Sequence, residues 1–113
     1  MKIVAPAPGR PVRGSATGRP IMAALDLFGR RGLLRILWEL RGAAPLTFRA
    51  LAAAAELPPG TLNARLKELK AAGLMATEGG YGLTPLGRDL LVALEPLLLW
   101  SEDWAAAYPP AEA

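Results

Sequence analysis

A mainly α-helical fold with one small β hairpin is predicted from three stretches of the chain. Residues 46–74, LTFRALAAAAELPPGTLNARLKELKAAGL, repeat apolar side chains at helical spacing on both sides of a proline pair. The next run, LMATEGGYGLT, sets two short extended segments around Gly79 and Gly80, which is a hairpin signal. From Thr84 onward apolar residues cover nearly the whole circumference of one long helix, so that helix must be buried or partnered.

The elements follow in order. Residues 1–19, MKIVAPAPGRPVRGSATGR, have no hydrophobic period and carry Lys2, Arg10, Arg13 and Arg19 among prolines and glycines. Such a segment buries too little apolar surface to offset its ordering entropy, and it reads as a flexible basic arm. A sharper role for it is a minor-groove arm. Helical structure starts at Pro20, with Ile21, Ala24, Leu25 and Phe28 on one face and Gly29 as the stop. In RRGLLRILWELRG, the residues Leu33, Leu34, Ile36, Leu37, Trp38 and Leu40 span so wide an arc that the helix is buried on more than one side, with Trp38 in the core. Arg35 and Glu39 stand at ion-pair spacing on its exposed strip. Gly42 ends it, and a brief strand at Leu46 is expected after the short connection 43–45.

Thr47 is placed to cap the next helix, whose buried stripe is Phe48, Leu51, Ala52 and Ala55. Pro58 and Pro59 forbid its continuation, because proline has no amide hydrogen and forces the preceding residue extended. Leu57 plugs the core between the helices, and Pro59 suits the first turn of the second one. The turn is tight enough to make the pair a helix-turn-helix. Leu62, Leu66 and Leu69 point inward from the second helix, which leaves Gly60, Thr61, Asn63, Ala64, Arg65, Lys67 and Lys70 outward. Small polar residues near a helix start suit close approach to base edges, and cations further along suit phosphates. An ordinary helical hairpin with a solvated charged face, Glu68 included, is the plainer alternative. After Gly73, a C-cap candidate, comes the hairpin with a two-residue Gly-Gly loop, in the position of a wing but short and without a cation at its tip. Thr84 and Pro85 start the last helix, in which Pro96 predicts a kink or break near Val92. The domain thus runs over 20–108 between the arm, 1–19, and a tail, 109–113.

Composition narrows the chemistry. The 113 residues contain no cysteine and no histidine. Disulfides, thiolate nucleophiles, imidazole bases and zinc-finger sites are therefore excluded, and the chain is expected to be no enzyme and to hold no metal or cofactor. No run has the uninterrupted apolar length of a membrane span, and the start lacks the apolar core of a signal peptide, so a cytoplasmic protein is expected. The formal charge of +3 hides an asymmetry. Residues 1–77 hold twelve basic against four acidic side chains, and 78–113 hold one against six. A basic front that includes the helix-turn-helix, with an acidic far end, is what a phosphate-contacting face and a distant non-contacting face need.

The element order, two helices, a brief strand, the helix pair, a hairpin and a long helix, is that of a winged helix-turn-helix with extra N- and C-terminal helices. The runs RPIMAALDLFGRRGLLRILWEL, LTFRALAAA, LPPGTLNARLKELKAAGL and LTPLGRDLL with Trp100 also resemble the successive motifs of HxlR-type transcriptional regulators, near the MarR group. The resemblance covers Pro20 to about Trp104. It implies a homodimer, joined by terminal dimerisation helices, that binds a palindromic operator and usually represses transcription. Many members carry a sensing cysteine just before the first helix, where Arg19 stands here, and a tryptophan where Gly32 stands; the wing is also shorter than usual.

The expected partner is double-stranded DNA. Thr61, Asn63, Ala64 and Arg65 are expected to face base edges, Arg65 being suited to guanine and Asn63 to adenine. Lys67, Lys70 and Arg49 are expected to hold phosphates. A protein-interaction module on the same fold, partnering another regulator, is the alternative. It is favoured by the uncharged wing and opposed by the basic helix.

Overall fold

The computed structural model describes residues 5–108. Lys2 of the expected arm and the tail 109–113 lie outside them. Five helices and one hairpin follow in the order α1 (Pro20–Phe28), α2 (Leu33–Glu39), α3 (Phe48–Ala55), α4 (Pro59–Ala71), β1 (Met75–Ala76), β2 (Gly82–Leu83) and α5 (Pro85–Ala107). This is a mainly α fold with a two-stranded antiparallel hairpin after the α3–α4 pair, the arrangement of a winged helix-turn-helix.

The core lies where α2, α3 and α4 meet. Leu33, Ile36, Leu37, Leu51, Leu62 and Leu69 are the largest fully buried side chains, joined by Leu40, Ala55, Leu66, Leu74 and Met75. Each helix ends or starts as its local residues dictate. Thr47 Oγ1 accepts from the Ala50 amide at 3.1 Å and caps α3. Gly73, left-handed at φ 77°, follows the last turn of α4, and the Leu74 amide donates back to the Leu69 carbonyl at 3.0 Å. Thr84 Oγ1 does two jobs: it accepts from the Gly87 amide at 3.1 Å and donates to the Gly73 carbonyl at 2.6 Å. It thereby ties the start of α5 to the end of α4. The same corner has no room for a side chain at Gly87, where a Cβ would stand 2.2 Å from the Leu74 carbonyl oxygen.

Several expectations are corrected. On α1 the residues turned to the core are Ala23 and Leu27, with Ala24 and Phe28 half-buried; Ile21 and Leu25 are more than half exposed. On α2 the core takes Leu33, Ile36 and Leu37, whereas Trp38 is exposed and carries the Arg41 guanidinium 4.2 Å over its ring. The hairpin loop is not the two glycines but residues 77–81, because Met75 pairs with Leu83 and Ala76 with Gly82. Tyr81 is drawn out of the hairpin instead, exchanging backbone hydrogen bonds of 2.8 and 3.0 Å with Leu46. That single bridge is all that forms of the brief strand at Leu46, and it brings the Tyr81 ring to Phe48 at 6.3 Å. Of the kink or break expected near Val92, the break does not form: α5 runs through Pro96 to Ala107. The carbonyl freed by the proline belongs to Val92, which is exposed, so water can satisfy it.

Within residues 5–19 the chain closes on itself. The Gly9 amide bonds the Gly18 carbonyl at 2.9 Å, and Val12 and Ser15 form a bridge inside that loop. Gly18 is buried at φ 67°, with the Arg10 backbone so near that any Cβ would collide with it. Gly9, Gly14 and Gly18, all at positive φ, permit the left-handed turns that this closure needs. Ala5–Pro8 then lies over a cavity of about 890 Å³ whose other walls come from α1, the end of α4 and the start of α5.

Candidate functional site

The sharp turn between α3 and α4 is made by three residues. Glu56 adopts the left-handed region, φ 53° and ψ 45°, and is the single non-glycine residue with positive φ among the described residues. Leu57 follows and packs on the core, and Pro58 at φ −58° and ψ 146° leads into Pro59 in the first turn of α4. Leu57 also explains Gly32: a Cβ there would lie 2.7 Å from a Leu57 methyl, and φ is 82°. One small residue at the entrance of α2 thus gives the turn its apolar plug.

Burial divides α4 into faces. Leu62, Leu66 and Leu69 point into the core, and Gly60, Asn63, Lys67 and Lys70 are exposed on the opposite arc. Thr61, Ala64 and Arg65 are half-buried. Arg49, in the first turn of α3, is exposed. Asn63, Lys67 and Lys70 therefore form an open polar surface, small at its start because Gly60 has no side chain.

Arg65 stands apart from that surface. Its Nε donates to the Arg31 carbonyl at 2.8 Å, and its Nη1 pairs with Glu68 Oε1 one turn later. Glu68 is not part of a solvated face: it is 3% exposed, the one buried charged residue among those described. Its other oxygen takes Arg30 Nη1 at 3.0 Å, and Arg30 also reaches toward Asp26 at 4.0 Å. A buried carboxylate requires such partners, since one left alone would carry a large desolvation cost. Two arginines, one from α4 and one from the α1–α2 corner, supply them. Sequence reasoning passed over Arg30, Arg31 and Glu68 as site residues; the one local signal was the Arg65–Glu68 spacing of three.

The remaining cations are mostly structural. Arg35 bonds Glu39 at 2.8 Å and the Ala54 carbonyl at 2.8 Å, joining α2 to the end of α3. Arg88 donates to the carbonyls of Arg41 and Gly42 at 3.3 and 3.0 Å. In the hairpin loop Glu78 is the only charged residue. Among the described residues, no cluster of metal-ligating side chains is found and no helix is long and apolar enough to cross a membrane.

A second surface is apolar. Leu97, Leu98, Leu99, Trp100, Trp104 and Tyr108 of α5 and its cap are each about half exposed or more, and Trp100 stacks on Trp104 with ring centroids 5.6 Å apart. A groove between α2 and α5, walled by Leu34, Trp38, Leu91, Leu94 and Leu98, continues that surface toward the core.

Comparison with known families matches residues 31–78 to a helix-turn-helix domain. The match begins at Arg31, spans α2, α3 and α4, and ends within the hairpin loop. This part of the chain is therefore a helix-turn-helix domain. No curated protein and no solved structure matches the chain.

Proposed function

We propose that the protein is a transcriptional regulator that reads duplex DNA with α4 and works as a homodimer on a palindromic operator, in the manner of the HxlR-type repressors its sequence resembles. The observation that carries the reading is the open face of α4 within the matched helix-turn-helix domain: Gly60 and Asn63 at its start, Lys67 and Lys70 beyond. Small and amide-bearing residues suit base edges, and lysines suit phosphates on either side. Asn63 is the candidate for adenine. Thr61 and Ala64 border the same face, Arg49 adds a phosphate contact from α3, and Arg65 acts through its hold on Glu68.

The homodimer is supported by α5. Six large apolar side chains left in water on one helix and its cap form an unusual surface for a domain of this size, whereas across a two-fold axis they would be anchors of an interface. Such an axis would set two α4 helices about 34 Å apart, one turn of DNA. The intracellular setting follows from the function.

The experiment is a selection of duplexes from a random library, followed by titration of the best duplex at several salt concentrations with mass measured by light scattering. Affinity is expected to fall steeply with salt, by about 0.9 in log–log slope for each phosphate neutralised. The dimer is expected to become a monomer in Leu98→Glu with Trp100→Ala. A protein that enriches no duplex at low salt would instead be the protein-interaction module, the second reading, which the cation-free wing loop favours.

A further inference from the structure

We propose that the α1–α2 corner, residues 29–32, is a second phosphate-contacting element, with Arg31 as its contact and the buried Arg30–Glu68–Arg65 cluster as the lock that holds it beside α4. The inference rests on the reading of α4 as a DNA-binding helix.

The geometry starts from the helix itself. Going round α4, Arg65 and Glu68 fall on one flank, Asn63 and Lys70 on the other, and Gly60 and Lys67 lie outward between them. The corner covers the first flank, which is why Glu68 is buried at a helical position whose neighbour Lys67 is exposed. Arg65 Nε meets the Arg31 carbonyl at 2.8 Å, so the corner backbone runs within one side chain's reach of the exposed arc. Arg30 and Arg31 then part company. Arg30 turns in to Glu68 at 3.0 Å, whereas Arg31 is exposed and enters no ion pair among the described residues.

Charge points the same way. Three arginines gather at the corner, Arg30, Arg31 and Arg65, against the carboxylates of Glu68 and Asp26, and Arg13 approaches Asp26 from the arm. The two carboxylates offset two of these four charges, and of the two left over one is Arg31, exposed on the corner. An exposed arginine whose backbone is pinned at the flank of a groove-reading helix is placed for the phosphates bordering that groove. The lock matters because a long side chain on a loose corner would lose its ordering entropy on binding, whereas a pinned backbone has lost part of it already.

The test uses the full chain and the duplex selected with the wild type. Arg31→Ala is a surface change, so the protein stays folded. It is expected to weaken every duplex by a similar factor and to reduce the salt slope by about 0.9. Lys67→Ala serves as the marker of the α4 reading. If Lys67→Ala lowers the slope and Arg31→Ala does not, the corner is overturned and the α4 reading stands. If neither lowers it, the α4 reading has failed and this inference with it. For the lock, Glu68→Gln is expected to reproduce most of the loss caused by Arg31→Ala, and adding Arg31→Ala to it should cost little more. Strictly additive losses would overturn the lock. Where Glu68→Gln is unfolded by circular dichroism, Arg65→Lys, which keeps the charge and loses the bond to the Arg31 carbonyl, provides the same comparison.

Discussion

Gly87→Ala is expected to be the most damaging single methyl group that can be added to α5. The residue lies in the first turn of that helix and is the only buried one in it. An added Cβ would sit 2.2 Å from the Leu74 carbonyl oxygen, and 3.2 Å from both the Leu74 carbonyl carbon and a Leu83 methyl. Relief requires a shift of about an ångström between α5 and the strand entrance, because the oxygen belongs to backbone that is itself held: it accepts from the Thr84 amide at 3.1 Å. Overpacking of this kind costs about 1–3 kcal/mol. For a domain of this length each kcal/mol moves the melting temperature by roughly 4–8 °C, so a drop of about 4–24 °C is expected. Gly42→Ala, where an added Cβ meets nothing within 4 Å, is the control and should melt close to the wild type. Thermal melts followed by circular dichroism at one protein concentration make the comparison. A Gly87→Ala protein that melts within a degree or two of the Gly42→Ala protein would refute the claim that this close approach fixes α5 on the hairpin.

Thr84→Ala removes both the cap of α5 and the bond to the Gly73 carbonyl and should cost about 1–3 kcal/mol, more than Thr47→Ala, which removes a cap alone at about 1 kcal/mol; urea unfolding of the two variants ranks them. Gly32→Ala should be destabilising by about 1–2 kcal/mol for its left-handed backbone alone, with a further penalty from the Leu57 contact at 2.7 Å. In a double-mutant cycle with Leu57→Ala that second part should vanish and the first should remain. Mild peroxide or a thiol-reactive electrophile should leave duplex affinity unchanged, since the chain has no cysteine. A loss of binding reversed by a thiol reductant would contradict this.

Much of the fold was legible in the sequence because its signals are local. Thr47 and Thr84 as caps, Pro20, Pro59 and Pro85 in first turns, Gly73 after α4 and the Leu62–Leu66–Leu69 stripe each act within a few residues, and each is found where spacing puts it. Tertiary structure decided whatever depended on a distant partner. Periodicity says that Ile21, Leu25 and Trp38 belong to apolar faces, but only the placement of neighbouring helices determines which part of a wide face is covered, and these three remain exposed. Tyr81 left the hairpin for Leu46, thirty-five residues earlier, a pairing invisible to a turn rule. The candidate site divides in the same way. Asn63 and Lys70 stay exposed because nothing covers their flank, although they stand nearer the leucine stripe than the buried Glu68; the exposure of Lys67 follows from its angle to that stripe alone. The place of Arg65 does not: its guanidinium and the Glu68 carboxylate were settled by Arg30 and the Arg31 carbonyl, brought across from the α1–α2 corner by packing. A charged side chain goes where its buried counter-charge is, and only the folded chain puts the two together.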